Sequence, residues 1–277
     1  DFTVIKKFPD ASIECNDVVI FSSKNFNKKE FKNNTDTLVR AKKLFLQFNI
    51  LEILKGNYNL HRITVVDASS FVFVDKELKH NAEIFKESTD TVPSNVKIEL
   101  DRVVVKNNAF VYVDKCNKIS TSAFFKEFRF EGILSTHFNS VDVSFNSMVH
   151  YLIVDKMSFP KNTFLSVNCQ AEVKDSTYTI SNLQCIVDNI ELLSKGVVQK
   201  RRNYFIDLQL SLNKSDITEV LPYIPNEFHK YIAPYKPTGE IVCNSAFKGT
   251  VSKKHLPSML VKFSIDNGSF YYAKTSN

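Results

Sequence analysis

The sequence has no tryptophan, only six glycines among 277 residues, and no uninterrupted apolar run longer than Ala109–Val113. A phosphate-cradling loop needs several closely spaced glycines, and no Walker A, G-x-G-x-x-G or G-x-S-x-G pattern occurs. A spanning helix needs about 20 consecutive apolar residues, far more than any run here. Arginine is scarce too. The 36 basic residues include only Arg40, Arg62, Arg102, Arg129, Arg201 and Arg202. Bidentate recognition of phosphate and guanine leans on arginine, so the net charge of +6 reads as a lysine-solvated surface, with no nucleic-acid partner expected. The densest basic groups are Lys200-Arg201-Arg202, Lys253-Lys254 and Lys28-Lys29.

The residues that carry chemistry are dispersed. Cys15, Cys116, Cys169, Cys185 and Cys243 form no CxxC and no zinc-ligand spacing with histidine. Most are flanked by alternating apolar residues and read as small buried hydrophobes. A hairpin turn centred near Asp175 predicts Cys169 opposite Ser181 and Cys185 opposite Leu165, which leaves no bridge. His61, His80, His137, His150, His229 and His255 stand alone, and acidic residues such as Asp67, Asp75, Asp101, Asp114 and Asp142 occur singly. No catalytic residue, metal site or cofactor is expected.

What is abundant is phenylalanine, 24 residues, set within period-two alternation. Leu165, Val167, Cys169, Ala171 and Val173 alternate with polar residues, and after Lys174-Asp175-Ser176 the pattern resumes through Leu183, Cys185 and Val187. Tyr204, Ile206, Leu208, Leu210 and Leu212 repeat it, as do Phe124, Phe128 and Phe130, and Val141, Val143 and Phe145. One greasy and one wet face per strand is the mark of an antiparallel sheet. Further strands are expected at 2–8, 12–22, 39–49, 59–67, 70–75, 96–106, 109–115, 149–157, 240–248 and 258–266, about fourteen in all. Helical signals are few: Ile50–Leu54, with Gly56 available as a C-cap, and a capping-box-like Asp216-Ile217-Thr218-Glu219. The latter leads into an amphipathic stretch of Leu221, Ile224, Phe228, Tyr231 and Ile232 broken by Pro222 and Pro225. Residues 22–37 and 76–95 read as polar connectors. The fold class is therefore mainly β, with a few short helices, closing as a barrel, splitting into a sandwich, or curling as an elongated twisted antiparallel sheet. Residues 1–277 read as one region, with 76–95 the only place for a subdivision.

Particular segments, in order, look like a known family. Phe8-Pro9-Asp10-Ala11-Ser12-Ile13 leads into a strand; Leu38-Val39-Arg40-Ala41, Ile53-Leu54-Lys55-Gly56 and Ile63-Thr64-Val65 follow. Farther on come Leu221-Pro222, Pro237-Thr238-Gly239, Phe247-Lys248-Gly249, Pro257-Ser258-Met259-Leu260-Val261 and Asp266-Asn267-Gly268-Ser269-Phe270. This succession resembles the AsmA-like proteins. One departure is visible: where many members carry Gly-x-x-Asn, this chain has Leu78-Lys79-His80-Asn81.

The resemblance implies a periplasmic fragment, held at the inner membrane by an N-terminal anchor outside this sequence and related to bridge-like lipid-transfer proteins. The implied role is non-enzymatic: binding or conducting phospholipid acyl chains along an apolar β-groove, in outer-membrane biogenesis. Candidate lining residues are Leu165, Val167, Cys169, Ala171, Tyr204, Ile206, Leu208 and Leu210. The alternative is a β-rich structural or protein-interaction module of the cell envelope. At any one strand, a closed sandwich core explains the apolar stripe as well as a groove does.

Overall fold

The computed structural model describes residues 2–3, 10–23, 25–31, 35–55, 60–83, 101–134, 139–200, 203–224, 228, 231–252 and 256–271. Several expected features therefore lie outside the described residues: most of the strand at 2–8, Gly56, the 84–95 stretch, Pro225, His137, His229, His255, Arg201, Arg202 and Lys253-Lys254. What is described is mainly one 14-stranded sheet, a meander in which nearly every strand pairs with the next in sequence. The strands are β1 (Phe2–Thr3), β2 (Asp10–Phe21), β3 (Thr37–Asn49), β4 (Leu60–Val74), β5 (Arg102–Asp114), β6 (Ile119–Leu134) and β7 (Asn139–Val154). After them come β8 (Met157–Ser158), β9 (Thr163–Lys174), β10 (Thr177–Val187), β11 (Ile190–Lys200), β12 (Tyr204–Asp216), β13 (Thr238–Val251) and β14 (Ser258–Ser269). The path runs from β1 to β14 without closing into a barrel, and β8 lies off it against β7. All pairs are antiparallel except β4 with β5, which run parallel. A parallel pair cannot be joined by a hairpin, and residues 75–101 make that connection.

Short capped helices interrupt the meander. Asn49 caps α1 (Ile50–Leu54) by accepting from the Leu51 and Glu52 N–H groups. Asp216 caps α2 (Ile217–Val220) by accepting from Thr218 N–H. The second half of the expected capping box is absent, because Glu219 accepts instead from Asn189 Nδ2 at 3.0 Å. Pro222 then turns the chain into a 3-10 turn at Leu221–Tyr223.

Three expected strand pairs are in fact single long strands. Residues 59–67 and 70–75 merge into β4, 96–106 and 109–115 into β5 (which begins at Arg102), and 141–145 and 149–154 into β7, while Met157, expected in the same strand, opens β8 after a turn. For β4 and β5 the cause is a line of irregularities across the sheet. Asp17, Lys42, Asp67, Asn107 and Lys126 stand side by side in β2 to β6 and are skipped by the ladder. Asp17, Asp67 and Asn107 take φ of 53°, 52° and 52°. Aspartate and asparagine tolerate this left-handed region better than other non-glycine residues. Asn107 Nδ2 also donates to Asp67 Oδ1 at 3.0 Å. At this line each strand's inward positions step by three instead of two, as from Val65 to Ala68 or Val105 to Asn108.

The same step corrects one assignment. Phe124 does not share a face with Phe128 and Phe130: it pairs with Ala109 and Met148 on the opposite side, 39% exposed, and Phe125 takes the inward place. A second irregularity, between Ile180 and Asn182, corrects the hairpin register: Cys169 faces Leu183 and Cys185 faces Val167. All five cysteines are free.

The segment after β2 is more than a polar connector. Phe26 and Phe31 fold over the end of β4, with ring centroids 5.9 Å apart and Phe31 5.0 Å from Phe73, which is 1% exposed. A buried polar knot holds this small core. Asp75 accepts from the Asn27, Glu77 and Lys79 N–H groups at 2.9, 2.8 and 3.0 Å. Asn81, fully buried, accepts from Phe73 N–H at 2.8 Å and donates to Phe71 O and Ser22 Oγ at 2.8 and 3.0 Å. Leu78, within the same turn, takes φ of 66°, a left-handed backbone that a glycine adopts without a Cβ clash. Leu78→Gly relieves about 1–2 kcal/mol of backbone cost, offset in part by glycine's extra chain entropy, for an expected gain of about 0.5–1 kcal/mol. Urea unfolding measures it; an unchanged or lowered midpoint contradicts strain at Leu78.

Candidate functional site

Following the pairing register strand by strand traces one row across the sheet: Cys15, Leu44, Val65, Val105, Phe128, Phe145, Val167, Cys185, Leu192, Leu212, Cys243 and Phe263. Every member is apolar. Eleven inter-strand steps of ~4.8 Å give it a length of about 53 Å. The adjoining row of the same face, from Ile13 and Leu46 through Val103, Phe130, Val143 and Cys169 to Val261, is interrupted only by Ser194 and Ser245.

One residue along each strand, on the other face, the row reads Glu14, Phe45, Thr64, Val104, Arg129, Ser144, Asn168, Gln184, Leu193, Ser211, Asn244 and Lys262. That face also carries ion pairs, including Lys43–Glu14 at 2.8 Å and Arg102–Glu131 at 2.7 Å. A pocket of about 520 Å³ there is lined by Gln47, His61, Arg62, Arg102, Glu131 and Asp142, with charges of both signs interleaved. Among the described residues no three His, Cys, Asp or Glu side chains converge on a point suited to a metal ion.

The apolar face is not a closed core. Most of its first row, Leu44, Val65, Val105, Phe128, Phe145, Val167 and Leu192 among them, is only half-buried. Among the described residues, strands pack edge to edge along the path, and no second sheet lies across this face. In a sandwich such side chains interdigitate with an opposing layer and lose nearly all exposure. Here they cover one another sideways. Phe110 and Phe125 meet edge-on at 5.6 Å, Phe125 and Phe145 at 5.3 Å, and Phe128 stacks on Phe145 at 6.2 Å. Such contacts hold the wall's shape while leaving its inner surface free.

The eight candidate lining residues all fall on this face. Leu165, Val167, Cys169 and Ala171 project from β9, and Tyr204, Ile206, Leu208 and Leu210 from β12, joined by the inward residues of β10 and β11. Seven are half-buried and Tyr204 is 50% exposed. Missed by sequence reading were the contribution of β11, where Ser194 and Gly196 blur the alternation, and the continuity of the face through β2 to β7. Aligning apolar positions across the three-residue steps recovers that continuity.

Burial pushes the Cys185 thiol up from its ordinary value; burial, and then the charge of Asp142, do the same to Cys169. Both therefore stay protonated at neutral pH and behave as apolar wall.

At one margin the face is roofed. Val220 and Tyr223, from α2 and the 3-10 turn, lie with Phe159 and Pro160 over a pocket of about 360 Å³ whose floor includes Leu165 and Leu212. The amphipathic stretch expected after Asp216 thus covers the sheet as far as Tyr223. Beyond it, Phe228 and Tyr231 are 59% and 65% exposed. No helix among the described residues is long and apolar enough to cross a membrane.

Compared with protein-family models, curated proteins and solved structures, the chain finds no match.

Proposed function

We propose that this chain binds acyl lipid along the apolar face of its open sheet and acts as a non-enzymatic carrier or conduit for phospholipid. The observation that carries this reading is the unbroken apolar row from Cys15 to Phe263, half-buried along most of its length and opposed on the other face by a row that is polar at nine of its twelve positions. Moving a methylene out of water is worth about 0.8 kcal/mol, so a long surface of this kind gains by covering itself with hydrocarbon. Leucine, isoleucine, valine and phenylalanine repeated at each strand offer equivalent contacts along the row. An acyl tail then meets no single deep minimum and slides between neighbouring strands. The resemblance to AsmA-like proteins agrees with this chemistry. It suggests periplasmic placement, an inner-membrane anchor, and a part in outer-membrane biogenesis.

The expected outcome is that protein purified without detergent carries phospholipid detectable by mass spectrometry of an organic extract, and that it takes up a fluorescent acyl probe. Protein that carries no lipid and takes up no probe contradicts the proposal.

A second reading, an envelope module that binds protein partners, draws on the edge strand β14. Met259, Leu260 and Phe263 there are 64%, 59% and 66% exposed, and an exposed apolar edge is a template for another strand. Photocrosslinking in cells separates the two: lipid adducts at Val143 and Val167 support the carrier, whereas protein adducts confined to β14 support the module.

A further inference from the structure

The roofed margin differs from the rest of the apolar face in ways that bear on its ligand. Its floor draws on five adjacent strands, with Leu152 of β7, Leu165 of β9, Val187 of β10, Leu192 of β11 and Leu212 of β12 among its side chains. Five strands at ~4.8 Å spacing extend about 19 Å, and 360 Å³ spread over that length gives a mean section of about 19 Å². That is close to the section of one extended hydrocarbon chain. Two hydroxyls reach the lining, and both are already engaged: Thr163 Oγ1 donates to Pro160 O at 3.0 Å, and the Tyr223 hydroxyl donates to Asp188 Oδ2. A phosphate or carboxylate headgroup entering here is stripped of water with no free hydroxyl donor offered, at a cost of kilocalories. The roof is also tied down, since Tyr223 holds Asp188 and Glu219 accepts from the neighbouring Asn189 at 3.0 Å.

We propose that this channel is a single-tail site, holding one fatty-acyl chain stretched across β7 to β12 with its polar end left outside. It rests on the carrier reading for the class of ligand and adds a distinct site with a fixed capacity. A methylene occupies about the ~30 Å³ of a liquid water, so the channel takes roughly a dozen carbons. The shared chemistry is one saturated tail, whether of a free fatty acid, a lysophospholipid or a diacyl lipid.

The test is displacement of a fluorescent fatty acid from the whole chain by a series from octanoate to stearate. Affinity is expected to rise about fourfold per methylene, the equivalent of ~0.8 kcal/mol, up to dodecanoate and then to level off. A lauroyl lysophospholipid should match dodecanoate. Val187→Trp fills the channel and should weaken dodecanoate at least tenfold, whereas Val143→Trp, on the unroofed part of the face, should weaken it several-fold less. Tyr223→Ala, which opens the roof instead of filling the core, should abolish the plateau. Equal weakening by the two tryptophans, a rise continuing to stearate, or displacement by diacyl lipid alone overturns the single-tail site while leaving the carrier reading standing. Failure to bind any acyl probe overturns both.

Discussion

Replacing Val167 with aspartate should cut the acyl lipid bound by this chain at least tenfold while leaving the sheet folded. Val167 lies near the middle of the apolar row, between Phe145 and Cys185. It is half-buried on a face that no second sheet covers, so an introduced carboxylate keeps part of its water and the fold tolerates it. A tail crossing that position must strip the charge of that water, and desolvating an ion costs several kcal/mol, more than the ~0.8 kcal/mol that each buried methylene returns. Asn168→Asp is the matched control: one residue along the chain, it adds the same charge to the polar face beside Ser144 and Gln184. Phosphate analysis of purified protein and titration with a fluorescent fatty acid read both. Equal lipid loads in Val167→Asp and Asn168→Asp would refute the assignment of the apolar face as the lipid surface.

The largest loss of stability is expected from Asn81→Ala. Its amide, with no exposure to solvent, satisfies Phe73 N–H, Phe71 C=O and Ser22 Oγ, tying the end of β4 to the segment that carries Phe26 and Phe31. Leaving such groups unpaired in a closed site costs about 1–3 kcal/mol each and not additively, so a total near 3 kcal/mol is expected, read from the urea midpoint. A shift under 1 kcal/mol would mean that water enters and replaces the amide.

The same knot sets a pH dependence. Burial pushes the Asp75 carboxyl up, but the N–H groups of Asn27, Lys79 and Glu77 outweigh it and hold the carboxyl below its ordinary value. The unfolded chain therefore takes up this proton at higher pH than the folded one does. Stability from Asp75 is complete above about pH 4 and drains away as pH falls toward the lower folded value. Asp114, which accepts from Asn117 and Tyr112, shifts in the same direction and adds to the effect. Asp75→Asn should flatten this acid limb; an unchanged slope would remove Asp75 from the account.

Much of the sheet is legible because period-two alternation is a local property. Leu165 to Val173 and Tyr204 to Leu212 each declare a wet and a greasy face with no knowledge of neighbours. Legibility fails where the backbone spends a residue without advancing the pattern. Asp67 and Asn107 read as ordinary polar punctuation, so β4 and β5 appear as two strands each, and the extra step at Lys126 exchanges the faces of Phe124 and Phe125. The closed core around Phe73 is hidden for a different reason. Its contributors, Phe26, Phe31, Asp75 and Asn81, sit in stretches too polar on average to suggest burial, and its hydrogen bonds join residues about 50 apart.

The sequence by itself determined a mainly β chain built of two-faced strands, with short helices at Ile50–Leu54 and after Asp216 and neither glycine-rich phosphate loops nor a spanning apolar run. Those properties follow from spacing and composition within a few residues of each position. Only the tertiary structure decided that the greasy faces line up into one row, from Cys15 to Phe263, and that no second sheet closes over them among the described residues. The reason is that apolar side chains pay the same cost in water whether they await a second sheet or a lipid tail. Which of the two covers them depends on strand register and sheet closure, fixed by contacts between residues far apart in the chain.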